Sequence, residues 1–362
     1  MIKKSFDEPH AAGLSKNIQV MRVLFILMVL YIHSNAVPVL KDSPAIPDSL
    51  LLFKQIWGEG FTAVAVPGFF LISSFLLFSK PFSLKDILSK KTRTILIPFV
   101  IINSFWIVFF SIMQHISSVS PYFADYKING ISGVIGAFFS HYPLYYPFWF
   151  IRDLFIMCML APVIRMIILK SRWAGLIFTI ILAFVPLQIY FVEKRSIVYF
   201  VLGAYAACYG TGLRRVLEAV PLRKVPVLIP ILAILLLSVA AGLKAEVFGI
   251  RILMIYVLLM FLCWYFIVDS MPERIGNKIS KLGKYTFFIY AFHEYYMAML
   301  KKALMIVLPK TPVSLWLQYI FIPVIMFILL ICIAGVLERY CPKLYGFLCG
   351  KDYGHFPAKV QK

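Results

Sequence analysis

The sequence predicts an all-α, polytopic integral membrane helical bundle of about ten transmembrane helices with both termini cytoplasmic. Three observations predict it. Of 362 residues, 62% are hydrophobic and 14% charged, with a mean hydropathy of +0.88. A soluble domain of this length carries more charge. Apolar runs of about 20 residues recur, each long enough to cross the hydrocarbon layer as a helix. The net charge of +20 falls mostly in short connections between those runs. That is topology-setting charge, and it argues against a nucleic-acid partner.

In order, the spans are expected at about 19–39, 60–79, 94–114, 148–169, 173–191, 196–211, 226–243, 250–269, 285–306 and 313–337. The sixth is the shortest. Placing the N-terminus in the cytoplasm puts 25 of the 36 Lys and Arg residues in inside segments and helix ends. Ten fall outside, Lys54 and Lys301 among them, and Arg152 sits at the outer start of the fourth span. This asymmetry puts both termini inside. The expected domain is a single one over 1–362, with its core at 15–337. The first apolar run is long enough to span and ends without an Ala-x-Ala site, so no cleaved signal peptide is expected. The six cysteines have no metal-ligand spacing; neither a disulfide framework nor a metal is expected.

The first span carries the most informative pair. Arg22 and His33 bracket Arg-Val-Leu-Phe-Ile-Leu-Met-Val-Leu-Tyr-Ile-His. Eleven helical steps return to within about 20° of the same face, about 16 Å along the axis. One face therefore carries a cation near one surface and an imidazole well inside, where ionisable groups are costly and usually functional. A neutral imidazole is a good general base near neutral pH; the alternative is a core histidine bonded to a neighbouring helix.

The second span contains Val-Pro-Gly-Phe-Phe-Leu-Ile-Ser-Ser-Phe-Leu-Leu, 66–77. The third opens on Lys-Thr-Arg-Thr-Ile-Leu-Ile-Pro-Phe, 91–99. Lys90, Lys91 and Arg93 join Arg22 at the cytoplasmic surface. Clustered Lys and Arg suit a phosphorylated ligand, or they set topology and meet lipid headgroups. The outside connection from about 115 to 147 holds Tyr122, Tyr126, Tyr142, Tyr145 and Tyr146 among Pro and Gly breakers. These aromatics suit either a sugar or the membrane interface.

The fourth span opens on Phe-Trp-Phe-Ile-Arg-Asp-Leu, 148–154, where Trp149, Arg152 and Asp153 share a helix face. Arg152 can orient a carboxylate, phosphate or acyl carbonyl, and Asp153 can pair with a cation or orient a histidine. An interfacial anchor with a structural ion pair fits equally. The ninth span contains Phe-Phe-Ile-Tyr-Ala-Phe-His-Glu, 287–294, and places His293 near mid-membrane. His293 is a second catalytic or donor-channel group, or a buried helix-bonding one, which the residues slightly favour.

Together these segments resemble the membrane acyltransferase-3 family over about residues 15–337. The Arg22-to-His33 spacing matches its first-helix signature, and residues 66–77, 91–99, 148–154 and 287–294 match later helices in order. Two positions depart: Ser74 stands where glycine is usual, and Lys90 replaces the first of two arginines. The resemblance implies transfer of an acyl group, often acetyl, to a hydroxyl of a cell-envelope carbohydrate in a bacterial inner membrane. Cytosolic acyl-coenzyme A is the implied donor. Arg22, Lys90, Lys91 and Arg93 would bind it, His33 would be the base, and Trp149, Arg152 and Asp153 would shape the acceptor site. The extra extracytoplasmic hydrolase-like domain of some members is not expected. The rival reading is an exporter of a glycan or lipid-linked sugar, which needs the same buried polar groups. Inverted repeats would favour it, and the sequence has none.

Overall fold

A computed structural model describes residues 8–34, 46–116, 130–140, 142–185, 189–219, 226–242, 252–309 and 311–350. Among the described residues the secondary structure is helical throughout, with no strand. The helices are α1 (Glu8–Ser34), α2 (Asp48–Lys54), α3 (Ala65–Phe78), α4 (Leu84–Lys91), α5 (Ile97–His115), α6 (Gly130–Phe139), α7 (Trp149–Lys170) and α8 (Arg172–Phe184). They continue as α9 (Lys194–Ala219), α10 (Leu228–Gly242), α11 (Ile252–Asp269), α12 (Glu273–Ser280), α13 (Thr286–Val307), α14 (Pro312–Tyr340) and α15 (Pro342–Leu348).

Each of the ten expected spans coincides with a helix, but the boundaries move. A π-helical stretch, Gln55–Gly60, joins α2 towards α3 in one run over Asp48–Phe78. A second, Thr92–Leu96, joins α4 to α5 over Leu84–His115. Over the sixth expected span, the shortest, α9 runs 26 residues, continuing past the apolar run through Gly210 and Gly212. Among the described residues, four helical runs are long and apolar enough to cross a membrane, Gly13–Ser34, Asp48–Phe78, Leu84–His115 and Pro312–Tyr340. A pair bent by 115°, Ile255–Asp269 with Glu273–Val307, makes up to five. Pro272 sits at this bend, extended at ψ 133°, where its ring forbids a continuous helix. The 22-residue α7 has the length to span, but Arg152, Asp153, Arg165 and Lys170 interrupt its apolar character.

The chain forms two compact units. The first comprises residues 1–73 and 209–333. Here α1 packs on α11, α12 and α13, and α10 packs on α11 and on Gln55–Gly60. Phe25 of α1 enters against Gly68 and lies edge-on to Phe69 at 5.9 Å. Gly68 is what lets α1 and α3 approach, since a Cβ there would overlap the Phe25 ring. Along α14, Ile325, Ile328, Leu329 and Ile333 stay exposed, which suits a helix that meets lipid chains.

The second unit comprises residues 74–208 and 334–362, with α4 against α7, α5 against α6, α7 against α8 and α15 against α5. A capping box starts α4: Asp86 N donates to Ser83 Oγ, and Ser83 N donates to Asp86 Oδ2. Leu84 and Leu88 are exposed on this short, lysine-rich helix, the pattern of a helix lying in the interface. The glycine-broken connection after α5 contains α6, whose Ile131, Ile135 and Phe139 are exposed at helical spacing. Its glycines read as breakers in the sequence, yet they support a second surface-lying helix.

Gly60 carries the junction of α10 with the π-helical stretch. A Cβ there would overlap the backbone carbonyl of Ser238, and its own carbonyl accepts the Tyr256 hydroxyl. Gly60→Ala is expected to destabilise the fold by about 1–3 kcal/mol, because the overlap is with backbone. Gly13→Ala, with nothing near its Cβ position, should stay within about 0.5 kcal/mol. Thermal unfolding of the detergent-solubilised variants checks both.

Candidate active site

The first unit holds the strongest cluster of ionisable groups. Helices α1 and α13 run in the same direction, and their shared face is polar at both ends. At the entry end, Arg22 donates to Thr286 Oγ1 at 3.0 Å and to Gln19 Oε1 at 3.2 Å. At the exit end, His33 Nδ1 lies 2.7 Å from Glu294 Oε2. The common face expected for Arg22 and His33 is therefore the face α1 turns towards α13.

The His33 and Glu294 side chains are 11% and 13% exposed. A carboxylate at that separation accepts the Nδ1 proton and makes Nε2 the basic ring atom. His293 is fully buried, with its ring 4.7 Å from that of His33. Its Nδ1 donates to the carbonyls of Tyr290 at 2.8 Å and Ile289 at 3.2 Å. Both are acceptors, so the proton is on Nδ1 and the lone pair on Nε2. That Nε2 has no hydrogen-bond partner among the described residues and lies 3.9 Å from Glu294 Oε2. Both histidines named from sequence thus come together.

Three neighbours were not singled out by the sequence. Glu294, next to His293, is a carboxylate in an apolar helix, which is itself a functional signal. Lys301 lies seven residues further along the same face of α13, and its ammonium donates to the His33 carbonyl at 2.6 Å. Lys54 stands 5.7 Å from the centre of the Tyr319 ring. Lys54 and Lys301 read as outside loop charge in the sequence, but both are buried, at 7% and 5% exposure.

The donor atoms of His33, His293 and Glu294 lie within 4.8 Å of one another, close enough for a metal ion. The 2.7 Å between His33 and Glu294 is a hydrogen-bond distance. It is tighter than the edge of about 3.3 Å that tetrahedral zinc imposes on its ligands.

The second unit holds the Trp149 group. Arg152 donates to Asp153 Oδ1 at 3.0 Å and to the Ser140 carbonyl at 2.7 Å. Fully buried, Asp153 accepts at its other oxygen from Glu193 N and Ser196 Oγ, both at 2.9 Å. The Arg195 guanidinium lies over the Trp149 ring at 4.6 Å. Tyr142 donates to Glu193 Oε1 at 3.5 Å; partial burial, and then the Glu193 carboxylate, raise its phenol above the ordinary value. Asp153 therefore pairs with a cation and ties the start of α7 to that of α9, while Arg152 and Glu193 reach Ser140 and Tyr142. Tyr122 and Tyr126 lie outside the described residues. Lys90 and Arg93 are exposed and Lys91 half-buried, at the end of α4 and in the π-helical turn after it. They belong to the second unit, and Arg22 to the first.

Residues 15–338 match the family model described as an acyltransferase domain. The chain is also similar to the succinoglycan biosynthesis protein ExoH of Rhizobium meliloti (strain 1021), at 28% identity over 213 residues. That match covers 56% of this chain and 56% of the relative, so the chain spans just over half the length of the curated relative it matches. No solved structure matches.

The Asp153 network predicts a stability effect. Asp153→Ala would leave a part-buried guanidinium, a backbone N–H and a hydroxyl without their common acceptor. The expected loss is about 3–5 kcal/mol, read by thermal unfolding. Unchanged stability with abolished turnover would instead make Asp153 a reactive group.

Proposed function

Because this chain belongs to the acyltransferase-3 family, we propose that it moves an acyl group, acetyl in the first instance, from cytosolic acyl-coenzyme A to a hydroxyl of an exported or envelope carbohydrate. The observation that carries the reading is the 2.7 Å pair of His33 and Glu294, flanked by His293 Nε2, within a largely apolar bundle. The name of the similar succinoglycan biosynthesis protein supports a polysaccharide acceptor. The membrane is a bacterial inner membrane. The topology is ten spans with both termini cytoplasmic, which the Lys and Arg asymmetry supports.

In this reading His33 Nε2 takes the proton of the acceptor hydroxyl as its oxygen attacks the thioester carbonyl. Glu294 holds Nδ1–H, fixes the ring and balances the imidazolium that forms. The tetrahedral intermediate collapses, the C–S bond breaks, and the coenzyme A thiolate recovers the proton from His33. His293, its ring held by two backbone carbonyls, packs against His33 and offers Nε2 as an acceptor to a neighbouring hydroxyl of the carbohydrate, while His33 takes the proton of the reacting one. Arg22, Arg93, Lys90 and Lys91 bind donor phosphates. Trp149 and Arg152 serve the acceptor, with Asp153 positioning Arg152. No metal takes part.

Protein reconstituted in vesicles with acetyl-coenzyme A and acceptor glycan should yield acetylated glycan and one free thiol per acetyl transferred. His33→Ala should lower the rate by roughly 10²–10⁴-fold with unchanged membrane insertion. Near-normal glycan acylation by a well-inserted His33→Ala protein would remove His33 from catalysis.

A further inference from the structure

A general base must be held at one depth as well as at one angle. Glu294 fixes the angle of the His33 ring through Nδ1. The depth is set by the His33 backbone. In an α-helix the Cα–Cβ bond tilts towards the N-terminus, while each carbonyl points towards the C-terminus. Because α1 and α13 run in the same direction, one residue of α1 can reach two points along α13. His33 does so: its ring meets Glu294, and its carbonyl accepts from the Lys301 ammonium at 2.6 Å. Those two points lie two turns apart, about 10 Å, on one face of α13.

A lysine is a costly choice for this contact. Lys301 is 5% exposed and sits on the bent apolar pair Ile255–Asp269 with Glu273–Val307, where an ionisable group is usually functional. A neutral donor would satisfy the carbonyl at a lower cost in desolvation and rotamer freedom. What the cation adds is charge. Lys301 and Glu294 lie within electrostatic reach of each other, so the ammonium balances the carboxylate while His33 is neutral. The same charge stands at the C-terminal end of α1, which stops at Ser34 and whose dipole is negative there.

We propose that Lys301 is a positioning residue for the general base: by capping α1 at the His33 carbonyl, it sets the depth at which the imidazole meets the acceptor hydroxyl. This rests on the acyltransferase reading, in which His33 takes the proton of that hydroxyl. Lys301 acts through His33 and touches neither substrate. A misplacement of about 1 Å in a reacting group can cost on the order of 10²-fold in rate. Slack at this carbonyl is therefore felt in turnover, not in the binding of donor or acceptor.

The test is steady-state kinetics of the full-length protein in vesicles, with acetyl-coenzyme A and acceptor glycan, each rate corrected for inserted protein. Lys301→Met should lower kcat by about 10–10²-fold and leave KM for both substrates within about twofold. Lys301→Arg keeps the charge and the donors, and should recover kcat to within about threefold of wild type. In a His33→Gln background, Lys301→Met should cost no further rate, because a residue that acts through another is non-additive with it. A merely structural lysine would slow both backgrounds alike. Lys301→Gln, also uncharged, replaces Lys301→Met should that variant not insert. Near wild-type kcat in the uncharged variant, equal losses with and without His33, or no recovery in an inserted Lys301→Arg protein would overturn the role. Failure of the acyltransferase reading shows separately, as absent glycan acetylation by the wild-type protein.

Discussion

The contact between His33 and Glu294 is what the first unit is built around. A carboxylate in an apolar helix is tolerated only with a partner, and removing one member of such a pair costs about 3–5 kcal/mol. The partner comes from a helix distant in sequence, so the pair fixes which face of α1 meets α13. Two further bonds hold the register. Arg22 meets Thr286 at the opposite end. Lys301 supplies a donor to the His33 carbonyl, one of the last four of α1 that the helix leaves unbonded. A cation there also suits the negative end of the helix dipole. The imidazole is thus held through its ring and through its own backbone.

The Asp153 network in the second unit works by the same physics to a different end. Its carboxylate accepts from a guanidinium, a backbone N–H and a hydroxyl. Fully satisfied, such a network makes a turn rigid. The His33 cluster differs in leaving His293 Nε2 without a hydrogen-bond partner among the described residues. A saturated network holds structure, whereas a buried acceptor beside a base invites a substrate hydroxyl.

Helix identity was legible because an apolar run in a bilayer has little alternative to being a helix. Helix ends were not, since Gln55–Gly60 and Thr92–Leu96 continue helices through polar and glycine-containing sequence that reads as connection. That Arg22 and His33 share a face was legible from helical phase, because both sit on one helix; their roles came from the family resemblance. Glu294 was quoted beside His293 but not assigned a role, because its meaning depends on which helix α13 faces. Lys54 and Lys301 counted as loop charge for the same reason: burial is a property of packing, and the chain alone does not state it. The pairing of Arg152 with Asp153 was foreseeable from adjacency, whereas the Glu193 and Ser196 donors come from the start of α9.

The central claim is that His33 and Glu294 act as one catalytic unit, and a double-mutant cycle on acyl transfer tests it most directly. Rates are measured for wild type, His33→Gln, Glu294→Gln and the double variant, each corrected for the amount of inserted protein. Groups that act as a unit are strongly non-additive. The account predicts that the double variant is no slower than the slower single variant, to within about threefold. Losses that multiply, or a Glu294→Gln protein with near wild-type turnover, would contradict it.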